Sequence, residues 1–251
     1  MAKDKPLSAN RSLWRRVRLE KLLYAYRLVV SEPLALSRRE ARGLLDLERF
    51  RRLIPEAIEF TTLASTWEDE LQEPYADYTR NVSDQIFAIS LQLATAILVL
   101  CDLSKPARLL DTGSGFSSYA LRLWATRNGS DVTSVDHDPD WLRRTKEYLE
   151  ASSLPVSNLL TWDAFASDAH DPFDFILHDI GPGMDDRRAK LAPVLTHAGA
   201  SSLVVLDDMH KPGYERHARR VLSERGFEIY SLRAHTQDMI GRFAWLATRM
   251  H

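Results

Sequence analysis

The sequence predicts a doubly wound α/β fold, with a mostly parallel sheet covered by helices on both faces and a helical extension at the N-terminus. Three observations support this. From Ala107 onwards, short apolar strands alternate with helical segments, which is the pattern of βαβ crossovers. The last two strand-like segments, 227–234 and 242–249, are joined only by a loop and predict an antiparallel pair at the sheet edge. The first hundred residues have helical periodicity.

The composition is typical of a globular protein, with 45% hydrophobic and 27% charged residues among 251. The single cysteine, Cys101, excludes an intrachain disulfide and reads as a small buried hydrophobe. The first residues contain no apolar signal core. The apolar stretch 86–101 is short and interrupted by polar residues, so it predicts a buried helix rather than a membrane span. We therefore expect a cytoplasmic protein with no membrane partner.

Two regions are predicted, a helical extension or lid at residues 1–82 and a main domain at 83–251. Residues 1–52 hold 14 lysines and arginines against six acids, whereas the rest of the chain is net acidic. Such a basic segment can meet nucleic acid, an acidic partner or the acidic body of its own fold, although a solvated helix face is the commoner explanation.

The extension has its own helical signals. An apolar stripe runs from Leu13 to Val30, Ser37 and Glu40 form a capping box for a second helix, and Pro55 opens a third segment. The polar and aromatic stretch 73–83 predicts a loop or lid. Ser83 and the acid after it predict the start of a long helix that reaches about residue 103.

In the main domain, strands and helices alternate in order. The predicted strand segments are 107–115, which ends in a glycine turn, 131–138, 156–165 (the weakest), 173–183 and 200–210, followed by the terminal pair. The predicted helices are 116–129, 139–152, 185–199 and 213–226, and Pro139 suits the first turn of its helix.

Ligands of such sheets bind beyond the carboxyl ends of the strands. The first strand ends at Asp111, and Gly113 and Gly115 then allow a tight turn and a close approach of the backbone to a ligand. A dinucleotide site would prefer glycine or alanine where this chain has Ser118. The carboxylate of Asp111 would repel a pyrophosphate but suits a cationic ligand.

Two further acids follow the next strands. Asp136, 23 residues after Gly113, ends the second strand, where a carboxylate accepts hydrogen bonds from ribose hydroxyls. Asp163 follows Trp162 and is predicted to accept from an adenine amino group, with Trp162 or His137 beside the ring. An ordinary loop acid is the alternative for Asp163.

These residues and the terminal strand pair resemble the class I S-adenosylmethionine-dependent methyltransferases, over roughly residues 84–251. The resemblance implies a seven-stranded sheet whose last strand is antiparallel. It also implies that Asp111, Gly113 and Gly115 line the aminoacyl end of the cofactor, Asp136 its ribose and Asp163 its adenine. The predicted cofactor-binding set is Asp111, Gly113, Gly115, Ser117, Asp136, His137, Asp163, Ala164 and Asp179.

Three carboxylates lie at the next two strand ends, Asp179 after the fourth strand and Asp207 with Asp208 after the fifth. Neighbouring strand ends are about 5 Å apart, so the three could converge on a Mg²⁺ ion, which prefers oxygen ligands. This pattern resembles metal-dependent small-molecule O-methyltransferases, including the catechol type. The catechol type has a lysine three residues after the fourth-strand acid, whereas this chain has Pro182. Acids at these positions also occur in metal-free methyltransferases.

The predicted function is methyl transfer from S-adenosylmethionine to a hydroxyl of a small molecule, with Mg²⁺ assistance left open. The predicted catalytic residues are His210 as the first candidate base, His178 as another, and Asp179; Lys211 is a further alternative. The main alternative is an RNA or protein methyltransferase that docks through residues 1–52. A binding module without catalysis and a nicotinamide dehydrogenase are weaker alternatives, and a homodimer stays open.

Overall fold

The protein is described by a computed structural model that covers residues 57–181 and 183–249. The chain divides into two compact units, Met1–Leu45 and Asp46–His251. All described residues belong to the second unit. The predictions for the basic segment, the apolar stripe, the capping box at Ser37 and the helix start at Pro55 lie outside the described residues.

A seven-stranded sheet forms the centre of this unit. Its strands are β1 (Arg108–Thr112), β2 (Asp131–Asp136), β3 (Leu159–Thr161), β4 (Phe173–His178), β5 (Ala198–Leu206), β6 (Phe227–Ser231) and β7 (Trp245–Arg249). Their order is β3-β2-β1-β4-β5-β7-β6. The pairs among β1 to β5 are parallel, and β7 runs antiparallel to both β5 and β6. The predicted fold class is confirmed, including the antiparallel last strand.

Helices cover both faces of the sheet. They are α1 (Ala57–Asn81), α2 (Leu91–Ser104), α3 (Phe116–Asn128), α4 (Pro139–Ala151), α5 (Trp162–Ser167), α6 (Met184–Val194), α7 (Pro212–Glu224) and α8 (Arg233–Thr236). Local chemistry sets several of their ends. Asp138 caps α4 and Pro139 opens it, while α3 ends at Gly129 with φ of 69°, a left-handed conformation that glycine adopts without strain.

The predicted loop at 73–83 is wrong, because α1 continues through Pro74 to Asn81. A proline inside a helix removes one backbone hydrogen bond. Burial compensates here, since Tyr75 and Tyr78 pack against Phe116 with ring centroids 5.0 and 5.5 Å away. The hydroxyl of Tyr148 also donates to the carbonyl of Pro74 at 3.0 Å. A tertiary interaction therefore overrides the local signal for a break.

Two other predicted boundaries shift for local reasons. The helix expected from Ser83 begins at Leu91, because Ser90 provides the cap and its hydroxyl accepts from the Leu93 amide at 3.1 Å. The strand expected over 156–165 is only Leu159–Thr161, because the Thr161 hydroxyl accepts from the Ala164 amide and starts α5.

The packing forms two apolar clusters. One includes the buried residues of α1, α2 and α3, and the other includes those of α6 and α7. Asp102 of α2 links the three helices of the first cluster. Its carboxylate accepts hydrogen bonds from the indoles of Trp67 on α1 and Trp124 on α3 at 2.6 and 2.9 Å. None of the helices within the described ranges combines the length and apolarity needed to cross a membrane.

Candidate functional site

Backbone hydrogen bonds tie the carboxyl ends of the central strands together. The amide of Gly113 donates to Val135 at 2.8 Å, and that of Asp179 donates to Thr112 at 2.8 Å. Gly113 has φ of 104°, and a Cβ there would lie 2.7 Å from the carbonyl carbon of Asp179. Only glycine fits this approach. The predicted cofactor turn at Gly113 therefore lies directly beside Asp179, one of the acids predicted for the acceptor side.

Asp111 lies fully buried beneath this turn. Its Oδ2 accepts from the hydroxyls of Ser118 and Ser134 at 2.5 and 3.0 Å, and Arg122 donates to Ser134 at 2.6 Å. Its Oδ1 has no hydrogen-bond partner within residues 57–181 and 183–249. Burial raises the pKa of Asp111 to about 6. A buried carboxylate oxygen without a hydrogen bond costs free energy. A cationic ligand that donates a hydrogen bond to Oδ1 would remove this cost.

Asp136 holds the glycine-rich turn against β2. Its Oδ2 accepts from the amide and hydroxyl of Ser114 at 2.8 and 3.1 Å, and its Oδ1 accepts from the Asp138 amide at 3.1 Å. His137 Nδ1 lies 3.0 Å from the same Oδ1. Burial raises the pKa of Asp136. The carboxylate of Asp136 therefore holds the glycine-rich turn in place, and its contact with a ribose stays a prediction.

The remaining predicted cofactor residues lie at the turn and on α5. Ser117 is buried, and its hydroxyl donates to the carbonyl of Gly113 at 3.1 Å, which stabilises the turn. Asp163 and Ala164 are exposed in the first turn of α5. Trp162 is half-buried, with Lys190 Nζ 5.3 Å from its ring centroid. Adenine binding by this segment stays a prediction.

The acids after β4 and β5 do come together, around the guanidinium of Arg187 from α6. Its Nη1 lies 2.5 Å from Asp208 Oδ2, and its Nη2 lies 2.6 Å from Asp179 Oδ1. Lys211 Nζ lies 2.6 Å from the same oxygen of Asp208. Burial alone would raise the pKa of Asp208, but Arg187 and Lys211 hold it well below its usual value. Asp208 is ionised and doubly paired at neutral pH.

Asp207 is the third acid and is not paired with Arg187. Its Oδ1 accepts from the amide of Asp208 at 2.6 Å. Burial, followed by the carboxylates of Asp179 and Asp208, raises the pKa of Asp207 to about 8. At neutral pH it is mostly protonated, which limits the repulsion among the three acids. Burial raises the pKa of Asp179 to about 6 against the opposing effect of Arg187.

This arrangement does not fit a divalent metal ion. Within residues 57–181 and 183–249, no group of three or more acidic, histidine or cysteine side chains is arranged to hold one. Asp179 Oδ1 and Asp208 Oδ2 each bind Arg187 instead. The predicted Mg²⁺ site remains a prediction from sequence, with a guanidinium between two of its proposed ligands.

The two candidate histidines differ in position. His178 is fully buried, with Nδ1 3.2 Å from the Thr112 hydroxyl and Nε2 3.1 Å from the Arg187 carbonyl oxygen, and burial lowers its pKa to about 3. Both ring nitrogens thus face the protein interior. His210 keeps 14% side-chain exposure, with Nδ1 3.5 Å from Asp208 Oδ1. Burial lowers the pKa of His210 to about 4, so its imidazole is neutral at pH 7.

Sequence reasoning missed three site residues. Arg187 carries only one signal, its place in the helix after the strand that ends at Asp179. Arg242, in the loop before β7, donates to the carbonyls of Gln85 and Ala88 at 3.2 and 2.9 Å and gives no sequence signal. Tyr78 lies in the stretch predicted as a loop or lid; its buried hydroxyl has no hydrogen-bond partner within the described part of the chain and lies 3.0 Å from where a Cβ on Gly115 would be.

Solved structures share this fold. A methyltransferase of Podospora anserina bound to S-adenosylhomocysteine is 12% identical, with 73% of this chain and 88% of that chain covered and a TM-score of 0.58. An O-methyltransferase of Bacillus cereus in complex with S-adenosylhomocysteine is 17% identical, with 83% and 97% covered and a TM-score of 0.53. TomG, an O-methyltransferase of Streptomyces achromogenes involved in tomaymycin synthesis, solved with S-adenosylmethionine, is 16% identical, with 84% and 98% covered and a TM-score of 0.53.

No protein-family model matches the chain. No curated protein matches it either. The structural likenesses therefore define the fold, which is that of the class I S-adenosylmethionine-dependent methyltransferases. The sheet order agrees, because β7 inserted between β5 and β6 differs from the 3-2-1-4-5-6 order typical of dinucleotide dehydrogenases.

Proposed function

We propose that this chain transfers a methyl group from S-adenosylmethionine to a hydroxyl of a small molecule. The observation that carries the proposal is the Oδ1 of Asp111, which is fully buried below the glycine-rich turn at the end of β1 and has no hydrogen-bond partner among the residues that the structure describes. The α-amino group of S-adenosylmethionine is a cation that can donate to this oxygen. The O-methyltransferase neighbours from Bacillus cereus and Streptomyces achromogenes support this choice of cofactor and acceptor.

The site offers residues for each task of the reaction. S-adenosylmethionine would supply an electrophilic methyl group: the acceptor oxygen bonds to the methyl carbon in line with the carbon–sulfur bond, which breaks and releases S-adenosylhomocysteine as a neutral thioether. The turn at Gly113 and Gly115 gives the backbone close access to the aminoacyl end. At the acceptor side, the neutral imidazole of His210 can take the hydroxyl proton, and the charge beside it on Asp208 stabilises the imidazolium that results. Mg²⁺ assistance, which the sequence left open, is not part of this proposal, because Arg187 already supplies a positive charge to Asp179 and Asp208.

Calorimetry with S-adenosylhomocysteine tests the cofactor proposal. We expect wild type to bind it and Asp111→Asn to bind about 10- to 100-fold more weakly, because a charge-assisted hydrogen bond contributes about 1.5–3 kcal/mol. Asp171→Asn is the matched control, since Asp171 is 93% exposed at the other end of β4. Absence of binding by the folded wild type would refute the proposal.

The acceptor proposal is tested with a panel of hydroxylated small molecules and detection of methylated products by mass spectrometry. We expect His210→Ala to reduce turnover about 100-fold, the usual contribution of a general base, with unchanged affinity for S-adenosylhomocysteine. A folded wild-type protein that binds the cofactor but methylates only RNA or protein would favour the alternative function.

That alternative rests on the basic excess of residues 1–52. A segment that docks on RNA gives binding that weakens steeply with salt. RNA retention that is salt-dependent and lost on deletion of residues 1–52 would support it, and unchanged retention would discard it.

A further inference from the structure

The guanidinium of Arg187 occupies the space between the acids of β4 and β5. Its two terminal nitrogens approach different strand ends, at 2.5 Å from Asp208 Oδ2 and 2.6 Å from Asp179 Oδ1. The side chains of all three residues are largely buried, with exposures of 7%, 9% and 14%. The same two carboxylates are those that a cation was expected to join.

Arg187 is held firmly in this place. Its Nη2 also donates to the carbonyl of Asp179 at 2.6 Å, and its Nε points to the carbonyl of Ile180 at 3.4 Å. Its own carbonyl oxygen lies 3.1 Å from His178 Nε2. Contacts from the end of β4 and the loop after it thus fix both the backbone and the side chain. Removing the guanidinium would leave two buried carboxylates with fewer partners.

The charges around the cluster are already balanced without an ion. Lys211 pairs with Asp208 at 2.6 Å, and Arg242 pairs with Asp238 while its charge acts on Asp207. A divalent ion in the same space would lie beside a fixed guanidinium, and Mg²⁺ requires oxygen ligands at about 2.0–2.1 Å. Asp179 Oδ1 and Asp208 Oδ2 instead contact nitrogens of Arg187 at 2.6 and 2.5 Å, which is longer than a Mg²⁺–oxygen bond.

We propose that Arg187 is the built-in cation of the acceptor site, holding Asp179 and Asp208 in position where a divalent metal ion would otherwise join them. It acts as a positioning residue, and methyl transfer is independent of divalent metal. The inference rests on the proposed function for its catalytic meaning. The exclusion of a metal ion by the guanidinium of Arg187 does not depend on which acceptor is methylated.

Titration of the full-length wild type with Mn²⁺, followed by the paramagnetic resonance signal of the free ion, tests this directly. We expect no binding at micromolar Mn²⁺, with or without S-adenosylhomocysteine, and equal turnover in EDTA and in Mg²⁺. Binding of about one Mn²⁺ per chain that disappears in Asp208→Asn would overturn the proposal. Failure to bind S-adenosylhomocysteine would instead overturn the proposed function and leave this titration unaffected.

Variants of Arg187 give a second test. We expect Arg187→Met to expose the paired carboxylates to metal, so that Mn²⁺ binds and raises its melting temperature. Arg187→Lys retains a positive charge and should bind no Mn²⁺. Arg188→Met is the matched control, because Arg188 is the next residue of α6 and pairs with the exposed Asp185. A folded Arg187→Met variant that binds no Mn²⁺ contradicts the proposal, and if this variant does not fold, the wild-type titration decides.

Discussion

The acid cluster at the ends of β4 and β5 shows how individual side chains share charge. Asp208 is ionised and paired with Arg187 and Lys211, whereas burial and its acidic neighbours raise the pKa of Asp207 to about 8. Asp208 also has φ of 65°, a left-handed conformation that aspartate tolerates better than most residues. The contrast between two consecutive aspartates follows from their partners, because one faces a guanidinium and the other faces carboxylates.

This contrast predicts a pH dependence of stability. In the unfolded chain Asp207 loses its proton near pH 3.8, so the folded form binds one more proton between that value and about pH 8. Stability from this group therefore falls as pH rises through that window. Well above pH 8 Asp207 is ionised in both the folded and the unfolded chain, so it no longer changes the stability with pH.

Asp207→Asn removes this cost while keeping an acceptor for the Asp208 amide. We expect the melting temperature of wild type to fall by a few °C more than that of the variant between pH 7 and 9, because only the wild type loses the extra proton of Asp207 in this range. Thermal unfolding at a series of pH values checks this. Asp185→Asn, at a 98% exposed position, should follow wild type. Parallel curves for wild type and Asp207→Asn would contradict the raised pKa.

At the scale of elements, one carboxylate links three helices. Asp102 of α2 accepts from Trp67 of α1 and Trp124 of α3, and Trp124 is fully buried. Each neutral donor to a charged acceptor contributes about 1.5–3 kcal/mol. This is how α1 joins the first apolar cluster and brings Tyr78 close to Gly115.

We expect Asp102→Ala to lower the melting temperature by roughly 6–24 °C, because two charge-assisted hydrogen bonds are lost and each kcal/mol is worth about 2–4 °C in a unit of this size. Asp69→Ala, at an exposed position of α1, should change it by less than about 2 °C. Calorimetric unfolding of both variants measures the difference. Equal effects would mean that the two indole contacts contribute little.

At the scale of the whole molecule, the sheet and its two apolar clusters lie within the unit Asp46–His251. A unit with its own core can fold by itself. The class I methyltransferase fold and the proposed cofactor site are both built from this second unit.

Deletion of residues 1–45 should therefore leave a folded protein that binds S-adenosylhomocysteine within about threefold of wild type, a change of less than 1 kcal/mol. Circular dichroism and calorimetry measure both properties. Loss of the fold on deletion would show that the second unit depends on the first. A folded truncated protein with much weaker binding would place part of the cofactor site in residues 1–45.

The sequence by itself determined the alternation of strands and helices, the antiparallel last strand and the glycine-rich turn after Asp111. These features are local: apolar periodicity sets the elements, and Gly113 is required by the backbone at its own position. The positions of Asp111, Asp136, Asp179 and Asp208 near the strand ends also followed, because parallel strands bring their carboxyl ends to one edge.

Only the tertiary structure decided what those acids contact. Arg187 enters the acid cluster from α6, and Tyr78 reaches the glycine-rich turn because α1 continues through Pro74. Neither follows from local pattern, since the energy of a buried ion pair or an aromatic contact depends on which distant groups meet. Propensity at Pro74 favoured a break, and burial of Tyr75 and Tyr78 outweighed it because packing is a sum over the whole core.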